Sequence, residues 1–195
     1  MRQLVNLYRH RLRFRLNLLG SLTLMSASTA STVSVKTSVK TLQAEPITAK
    51  AFEPFGQLVL PQPDTVAFNP QDAQLQLNNG TPRFYIMSLH HRGRRFHTIT
   101  CHRLCTQCLG SLGGQRWFLG VAPPSDASQP RLEEIKVFEI PGDRFIKLNV
   151  GTWHAGPYFD ADSVNFYNLE LSDTNVVDHT TCNLAETYGV SFEIV

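Results

Sequence analysis

Short apolar runs rich in β-branched and aromatic residues recur along the chain at intervals of about ten residues. Gly, Pro, Asn and Asp separate these runs, as they do at turns. No stretch long enough for an ordinary helix keeps a helical period of apolar positions. Many short strands without intervening helices are typical of an all-β sandwich or barrel. The pattern predicts strands at 57–60, 83–89, 96–104, 116–121, 136–140, 145–150, 163–171 and 190–195, and one short helical turn at 48–52.

The segment 163–171 alternates most clearly. Val164, Phe166, Asn168 and Glu170 share one face of this predicted strand. A face that carries both apolar and polar side chains indicates a partly polar interior, as in barrels with ligand cavities. The alternative is a strand at the rim, where Glu170 contacts water.

Charge is distributed unevenly along the chain of 195 residues, of which 42% are hydrophobic and 17% charged, as in globular domains. The first 44 residues hold seven of the 18 Lys and Arg residues and no acid. From Glu45 onward, 11 basic and 16 acidic residues remain, a net charge of −5. A mildly acidic domain does not attract phosphates, so we expect no nucleic-acid partner.

We interpret residues 1–44 as a disordered basic tail and residues 45–195 as the folded domain. The tail has the composition of a targeting peptide, or results from a mis-called start with Met25 as the true initiator. Its apolar stretch at 16–25 is too short to cross a bilayer, so we expect no membrane partner. The expected location is cytoplasmic, or an organelle if the tail is a transit peptide.

Cys101, Cys105 and Cys108 have the spacing of one type of iron–sulfur cluster motif. Only 87 residues follow Cys108, too few for the α/β barrel that such enzymes need. We therefore expect no iron–sulfur cluster. Cys101 is predicted to be packed and the other two to be half-exposed free thiols, which implies a reducing compartment.

Two histidines stand in positions suited to chemistry. After a Pro-Gly-Asp turn at 141–143, Gly151 permits a bend that presents Trp153 and His154. The strand predicted at 96–104 carries His102, and the two imidazoles are predicted to face each other across the barrel. Neutral imidazole accepts protons or binds metal near neutral pH.

The bend at 151–154 resembles the second motif of the cupin superfamily. More narrowly, the chain is similar to the ureidoglycolate lyase family, and its closing segment to a plant and algal branch of it. The similar segments are ITAKAFEPFGQLV (47–59), LNNG (77–80), RFY (83–85), CLGS (108–111), GGQRWFLGV (113–121), GTWHAGPYF (151–159) and FYNLELSDTNVVDHT (166–180).

The resemblance implies a jelly-roll-like cupin β-barrel with few short helices, acting as a homodimer on a small molecule. The implied reaction cleaves ureidoglycolate to glyoxylate and urea in allantoin and purine catabolism. Where bacterial members carry a Glu-Arg-His-Pro run, this chain has Cys105-Thr106-Gln107-Cys108. Two alternatives therefore stay open: a catalytically silent protein that binds a small carboxylate or ureide, and a metal-dependent cupin enzyme with another substrate.

Roles follow from the needs of that reaction. His154 or Glu170 is the predicted base, and His102 assists as acid or hydroxyl ligand. Arg83 is predicted to hold the substrate carboxylate. The remaining predicted substrate-binding residues are Asn78, Gln115 and Asn168 for the urea group, Trp153 beside His154 at the bend, and His179 at the barrel mouth. If a divalent metal is present, its predicted ligands are His102, His154 and Gln107, a weak set.

Overall fold

The computed structural model describes residues 37–195, and strands dominate this part of the chain. The strands are β1 (Ser38–Leu42), β2 (Ala44–Pro46), β3 (Gly56–Val59), β4 (Pro82–His90), β5 (Arg95–Phe96), β6 (Thr98–Cys101), β7 (Gln107–Ser111), β8 (Gly114–Ala122), β9 (Lys136–Gly142), β10 (Phe145–Leu148), β11 (Trp153–Tyr158), β12 (Ser163–Leu171), β13 (Thr180–Asn183) and β14 (Val190–Ile194). The short helices are α1 (Ala49–Phe52), α2 (Thr174–Val177) and α3 (Leu184–Tyr188), with a 3₁₀ turn at Leu132–Glu134. The predicted all-β class with few short helices is confirmed.

The strands form three sheets that do not close on themselves. One large sheet has the order β3-β10-β7-β12-β4, and the other has the order β13-β6-β11-β8-β9-β2. A small third sheet has the order β1-β14-β5. The architecture is therefore a cupin-like fold of open, packed sheets, which agrees with the predicted all-β, jelly-roll-like class.

The strand β12 lies inside the five-stranded sheet and pairs with β4 along its whole length, from Ser163 opposite His90 to Leu171 opposite Pro82. The face predicted to line the interior is buried, because Phe166 is 0% exposed and Glu170 is 1% exposed. The prediction of a partly polar interior is confirmed, and the alternative of a water-exposed Glu170 is wrong.

Two apolar clusters hold the sheets together. The inner core fills the space between the two large sheets and includes Trp117, Leu119, Phe138, Ile146 and Phe166. The outer core lies on the other face of the six-stranded sheet, beneath β14, and includes Ile99, Trp153, Leu184, Val190 and Phe192. Burial of apolar side chains on both faces of one sheet supplies the main driving force for folding.

Two strands run through segments that the sequence pattern assigned to turns. Gly110 lies within β7, where a Cβ atom would come within 2.6 Å of the Phe145 ring. In β11 the φ angle of Gly156 is +131°, and the register with β8 shifts between Ala155 and Tyr158. Gly110 allows close packing and Gly156 lies at a bulge. Both glycines are inside strands and do not end them.

The domain begins earlier than the predicted boundary at Glu45. The strand β1 pairs in parallel with β14, with Ser38 opposite Val190 and Leu42 opposite Ile194. Residues 38–44 are therefore part of the fold and not of a tail. Residues 1–36 of the predicted tail lie outside the described residues.

The predicted helical turn at 48–52 is confirmed. The Thr48 hydroxyl accepts a hydrogen bond from the Ala51 amide and so caps α1. Phe52 closes this helix and is fully buried in the inner core. Across residues 37–195, no helix is long and apolar enough to cross a membrane.

The cysteines of the cluster-like motif are free thiols that lie on different sheets. Cys101 ends β6 of the six-stranded sheet, whereas Cys108 lies on β7 of the five-stranded sheet. Burial raises the pKa of Cys101, and burial raises the pKa of Cys108 to about 11. Cys105 is buried, so the prediction that it is half-exposed is wrong.

Candidate active site

A pocket of about 220 Å³ opens between the two large sheets, beyond the inner core. The five-stranded sheet contributes Tyr85, Met87, Gln107, Leu109, Asn168 and Glu170 to its wall. Across from this wall lie His102, His154 and His179, with Arg92, Pro157 and Asn175 around them. A larger pocket of about 460 Å³ lies beside α1 and β3, and Glu53 is its only lining group with a titratable side chain among the described residues. The smaller pocket, with its convergent polar groups, is the candidate site.

Glu170 is the buried anion of the pocket. One carboxylate oxygen, Oε2, accepts a hydrogen bond from Gln107 Nε2 at 2.9 Å. The other, Oε1, accepts from the Tyr85 hydroxyl and from Asn175 Nδ2, both at 3.2 Å. Three donors replace the water that a buried carboxylate loses, and this fixes the carboxylate rigidly.

The same groups form a closed ring of hydrogen bonds. Asn168 Nδ2 donates to the Tyr85 hydroxyl at 2.9 Å, and Asn168 Oδ1 accepts from Gln107 Nε2 at 3.2 Å. Desolvation raises the pKa of Tyr85, and the nearby Glu170 carboxylate adds to that rise. The phenol therefore stays protonated and keeps donating to Glu170.

His102 is held in one tautomer by the main chain. Its Nδ1 lies 2.5 Å from the carbonyl oxygen of Asp178. Because a carbonyl oxygen can only accept, Nδ1 carries the proton and Nε2 keeps its lone pair. The imidazole is 5% exposed, and desolvation lowers its pKa, although the Asp178 carbonyl and the Asp178 and Glu170 carboxylates oppose that change.

Asp178 fixes the chain that follows His102 as well. Its carboxylate oxygens accept hydrogen bonds from the backbone amides of Arg103 and Leu104, at 2.7 and 2.8 Å. The side chain of Asp178 thus orders this loop while its carbonyl orients the imidazole. Asp178 directly follows α2, so this short helix positions His102 and also contributes Asn175 to the pocket.

His154 is the second residue of β11, and a main-chain carbonyl fixes its tautomer as well. Its Nδ1 lies 3.2 Å from the Thr152 carbonyl oxygen, so its Nε2 also keeps a lone pair. Desolvation, together with the neighbouring His102, lowers the pKa of His154 to about 3. The ring centroid of His102 lies 5.0 Å from that of His154 and 5.6 Å from that of His179. Because both pKa values are lowered, His102 and His154 are neutral imidazoles at physiological pH.

Arg92 brings the positive charge. It lies in the loop after β4, where its guanidinium is 3.5 Å from the Pro157 carbonyl oxygen and 5.1 Å from the centre of the Tyr158 ring. Arg92 is not among the predicted site residues, and only the fold brings its loop beside the bulge of β11. Arg92 is the one cationic side chain that lines the pocket in the described part of the chain.

The structure brings most of the predicted site together. His102, His154, Glu170, Asn168, Gln107 and His179 all line the pocket. Trp153 does not, because alternation along β11 directs it to the outer core, where its Nε1 donates to Ser125 Oγ at 3.1 Å.

Three further predicted substrate-binding residues lie outside the pocket. Arg83 is exposed and its guanidinium lies 3.7 Å from the centre of the Tyr85 ring. Asn78 is exposed in the turn before β4, and Gln115 is exposed at the start of β8. These positions place the residues away from the groups that converge.

Sequence reasoning missed Tyr85, Arg92 and Asn175. Tyr85 could have been found from alternation, because it shares the inner face of β4 with Met87 and Leu89. The other two lie in a loop and at the start of α2, where no periodic pattern indicates which way a side chain points.

The predicted metal ligands do not form a good metal site. Within residues 37–195, no group of three or more His, Cys, Asp or Glu side chains could hold a metal ion. Gln107 directs its amide nitrogen toward Glu170 and Asn168. Two imidazoles and a neutral amide are a poor set of ligands for a divalent cation.

The cupin-like fold thus contains a small polar pocket between open sheets, in which imidazoles face a buried carboxylate. The family model described as ureidoglycolate lyase matches residues 39–190. The chain therefore belongs to the ureidoglycolate lyase family. No curated protein matches the chain.

Proposed function

We propose that this protein is an enzyme that cleaves ureidoglycolate into glyoxylate and urea. Family membership supports a function on ureidoglycolate. The observation that carries the proposal is the pocket itself, in which an unprotonated Nε2 of His102 lies in the same small space as the cationic Arg92 and the acceptor-rich wall around Glu170.

The two ends of the substrate match the two sides of the pocket. Ureidoglycolate has a carboxylate, a hydroxyl and a ureido group on one carbon. We place the carboxylate at the Arg92 guanidinium, because the Glu170 carboxylate repels it from the opposite wall. The ureido group, rich in N–H donors, then faces the wall formed by Glu170, Gln107 and Asn168.

The reaction needs one proton to move from oxygen to nitrogen. A base removes the hydroxyl proton, the C–O bond becomes a carbonyl, and the C–N bond breaks with its electrons on the ureido nitrogen. The proton then passes to that nitrogen, and urea leaves. Because both atoms are bonded to the same carbon, one positioned imidazole serves first as base and then as acid.

We assign this shuttle to His102 in preference to His154. A group whose pKa is about 3 is a weak base near neutral pH. Desolvation lowers the pKa of His102 as well, but the Asp178 carbonyl and the Asp178 and Glu170 carboxylates oppose that change and so favour an imidazolium there. His154 then accepts a hydrogen bond from the substrate through Nε2, and Glu170 holds the opposite wall in place.

The direct test is to incubate the purified full chain with ureidoglycolate and to follow glyoxylate and urea together. We expect equimolar release above the spontaneous rate, unchanged by a chelator. His102→Ala should lower kcat/KM by about 100-fold or more, the usual contribution of a positioned acid–base group. His97→Ala, which removes an exposed imidazole outside the pocket, should have no effect.

The outcome also separates the alternatives. If ureidoglycolate binds but no products form above the spontaneous rate, the protein is a binding protein for a small ureide. If turnover is lost on chelation and restored by a divalent metal, the mechanism without metal is wrong. Full activity in His102→Ala would remove this residue from the proton transfer.

A further inference from the structure

The strand β4 is an edge of the five-stranded sheet. Its nine residues pair with β12 in one unbroken register, and no strand among residues 37–195 pairs with its other side. Thr81 and His91, just outside its two ends, form backbone hydrogen bonds on the β12 side, so the odd-numbered residues of β4 direct their backbone groups the same way. The even-numbered residues therefore direct their N–H and C=O groups to the free edge.

This edge lacks the devices that normally prevent pairing with another chain. Such devices are a proline or a charged side chain within the strand, or a bulge. Pro82 stands only at the start of β4, the register with β12 has no bulge, and residues 84–89 carry no charge. The edge is therefore open to a further strand.

The outer face of the sheet beside this edge is apolar. Phe84 and Ile86 of β4 are 67% and 47% exposed. The Phe84 ring stacks on Tyr167 of β12 with centroids 5.8 Å apart, and Tyr167 stacks on Phe145 of β10 at 5.5 Å. The one Lys, Arg, Asp or Glu side chain on this face of β4, β12, β7 and β10 is Lys147, which is buried. Aromatic surface with little charge is typical of the core of a protein interface.

The sequence of β4 is complementary to itself. An antiparallel pair with a two-fold axis at Ile86 aligns all nine residues, whereas an axis at any other residue leaves part of the strand unpaired. Ile86 then lies opposite its own copy, and Phe84 lies opposite the partner's Ser88. Arg83 lies opposite the partner's Leu89. No like charges face each other, and a two-fold axis is the commonest symmetry of homo-oligomers.

The same pairing brings an arginine to the pocket. Tyr85, Met87 and Leu89 line the pocket from the inner face of β4. Arg83 lies on that face as well, with its guanidinium over the Tyr85 ring. Residues directly opposite each other in an antiparallel pair have Cβ atoms about 5 Å apart. The partner's Arg83 therefore reaches the pocket wall at Leu89, near the end of β4 from which the chain continues to Arg92.

We propose that β4 pairs with β4 of a second copy of this chain around a two-fold axis at Ile86, and that each Arg83 serves the pocket of its partner. There the guanidinium joins Arg92 in binding the substrate carboxylate. The role of Arg83 rests on the proposed function, whereas the pairing of the strands does not. The arrangement accounts for an arginine that lies outside the pocket of its own chain.

The variant Ile86→Cys tests the axis directly. In the proposed pair the two introduced residues face each other with Cα atoms about 5.5 Å apart, within the range of a disulfide. Oxidation of the purified full chain should give a covalent dimer on a non-reducing gel. Ser88→Cys is the matched control, because Ser88 faces the partner's Phe84 and lies too far from its own copy to form a disulfide. Equal cross-linking of the two variants, or none in Ile86→Cys, would overturn the proposed pairing.

The variant Ile86→Lys tests the interface without a cross-link. It sets two like charges opposite each other at the axis. Light scattering should therefore give the mass of two chains for the unmodified protein and of one chain for the variant. Val39→Lys, at a position of similar exposure in β1 of the third sheet, should remain a dimer. A monomeric unmodified protein or a dimeric Ile86→Lys contradicts the interface.

Mixed dimers test whether Arg83 acts on the partner's pocket. Arg83→Ala should raise KM for ureidoglycolate by roughly tenfold or more, because a charge-assisted hydrogen bond is lost. Co-expression of Arg83→Ala with His102→Ala should restore about a quarter of the sites to the unmodified KM, because half of the random dimers hold one intact pocket. Without such restoration Arg83 does not act in the partner's pocket, and its assigned role is wrong.

Failure of the proposed function has a different signature. If none of these proteins cleaves ureidoglycolate, the proposed function is wrong, while cross-linking and mass still decide the interface. Ureidoacetate, which keeps the carboxylate but lacks the hydroxyl, then tests Arg83 by calorimetry. Equal affinity of the unmodified protein and of Arg83→Ala for ureidoacetate would overturn the role of this residue.

Discussion

The space between the two large sheets has an apolar end and a polar end, and β12 passes through both. At the apolar end Phe166 packs edge-on against Trp117, with ring centroids 5.3 Å apart. Two residues further along the same face, Asn168 begins the ring of hydrogen bonds that includes Glu170. Side chains at both ends are almost fully buried, yet they contribute to the protein in opposite ways.

The difference teaches how one scaffold supports both stability and chemistry. Packing at the apolar end is non-directional and gains free energy from each buried methylene group. At the polar end the same burial costs free energy unless each donor meets an acceptor. The apolar end should therefore govern stability, and the polar end should govern ligand binding and turnover.

Removal of an aromatic ring from the apolar end tests this division most strongly. Phe166→Ala should lower the free energy of unfolding by about 3–5 kcal/mol, because it leaves a cavity beside Trp117 and Phe159. Urea denaturation measures the change, and kcat/KM of the folded variant should stay close to that of the unmodified protein. Phe68→Ala, at a ring that is 79% exposed, should change stability by less than about 0.5 kcal/mol. A stable Phe166→Ala with lost activity would reverse the roles of the two ends.

Loss of the Arg92 cation should weaken substrate binding at the polar end. Arg92→Ala should raise KM for ureidoglycolate by roughly 10- to 100-fold with little change in melting temperature, because a charge-assisted hydrogen bond to the carboxylate is lost. Arg131→Ala is the matched control, since Arg131 lies outside the pocket and pairs with Glu134. Steady-state kinetics with both variants would contradict the assignment of Arg92 if the two KM values agree.

A smaller effect should appear in the dependence of stability on pH. The pKa of His154 falls from 6.5 to about 3 on folding, so the folded protein favours the neutral imidazole. Its contribution to stability is present above pH 6.5 and is lost progressively as the pH falls from 6.5 toward 3. His154→Gln, which stays neutral, should show a shallower decline in melting temperature over that range. Parallel curves for the two proteins would show that His154 is not desolvated.

Strand alternation carried most of what the sequence could predict about the fold and the polar wall. The face of β12 that holds Asn168 and Glu170 follows from a period of two residues, and burial confirms it. The prediction that His102 and His154 face each other across the interior is wrong, because β11 pairs with β6 and the two imidazoles lie side by side on the same wall of the pocket. Alternation can be predicted because it depends only on residues that are neighbours along the chain.

Features that depend on contacts between distant segments could not be predicted from the sequence. Position 110 of β7 has no room for a side chain because the Phe145 ring covers it, and no local pattern reveals that contact. Arg92 reaches the pocket because the loop after β4 passes the bulge of β11. Arg83, near the start of β4, stays outside. Composition identifies candidate cationic side chains, but only tertiary contacts determine which of them lines the pocket.

The protons on Nδ1 of His102 and His154 are fixed by main-chain carbonyls, those of Asp178 and Thr152. Every amino acid has such a carbonyl, so no single replacement at 152 or 178 deletes the acceptor itself. Which ring nitrogen carries the proton therefore depends on the backbone path and not on the side chains at 152 and 178. A substitution at either position therefore leaves the imidazole tautomer unchanged as long as the backbone path is kept.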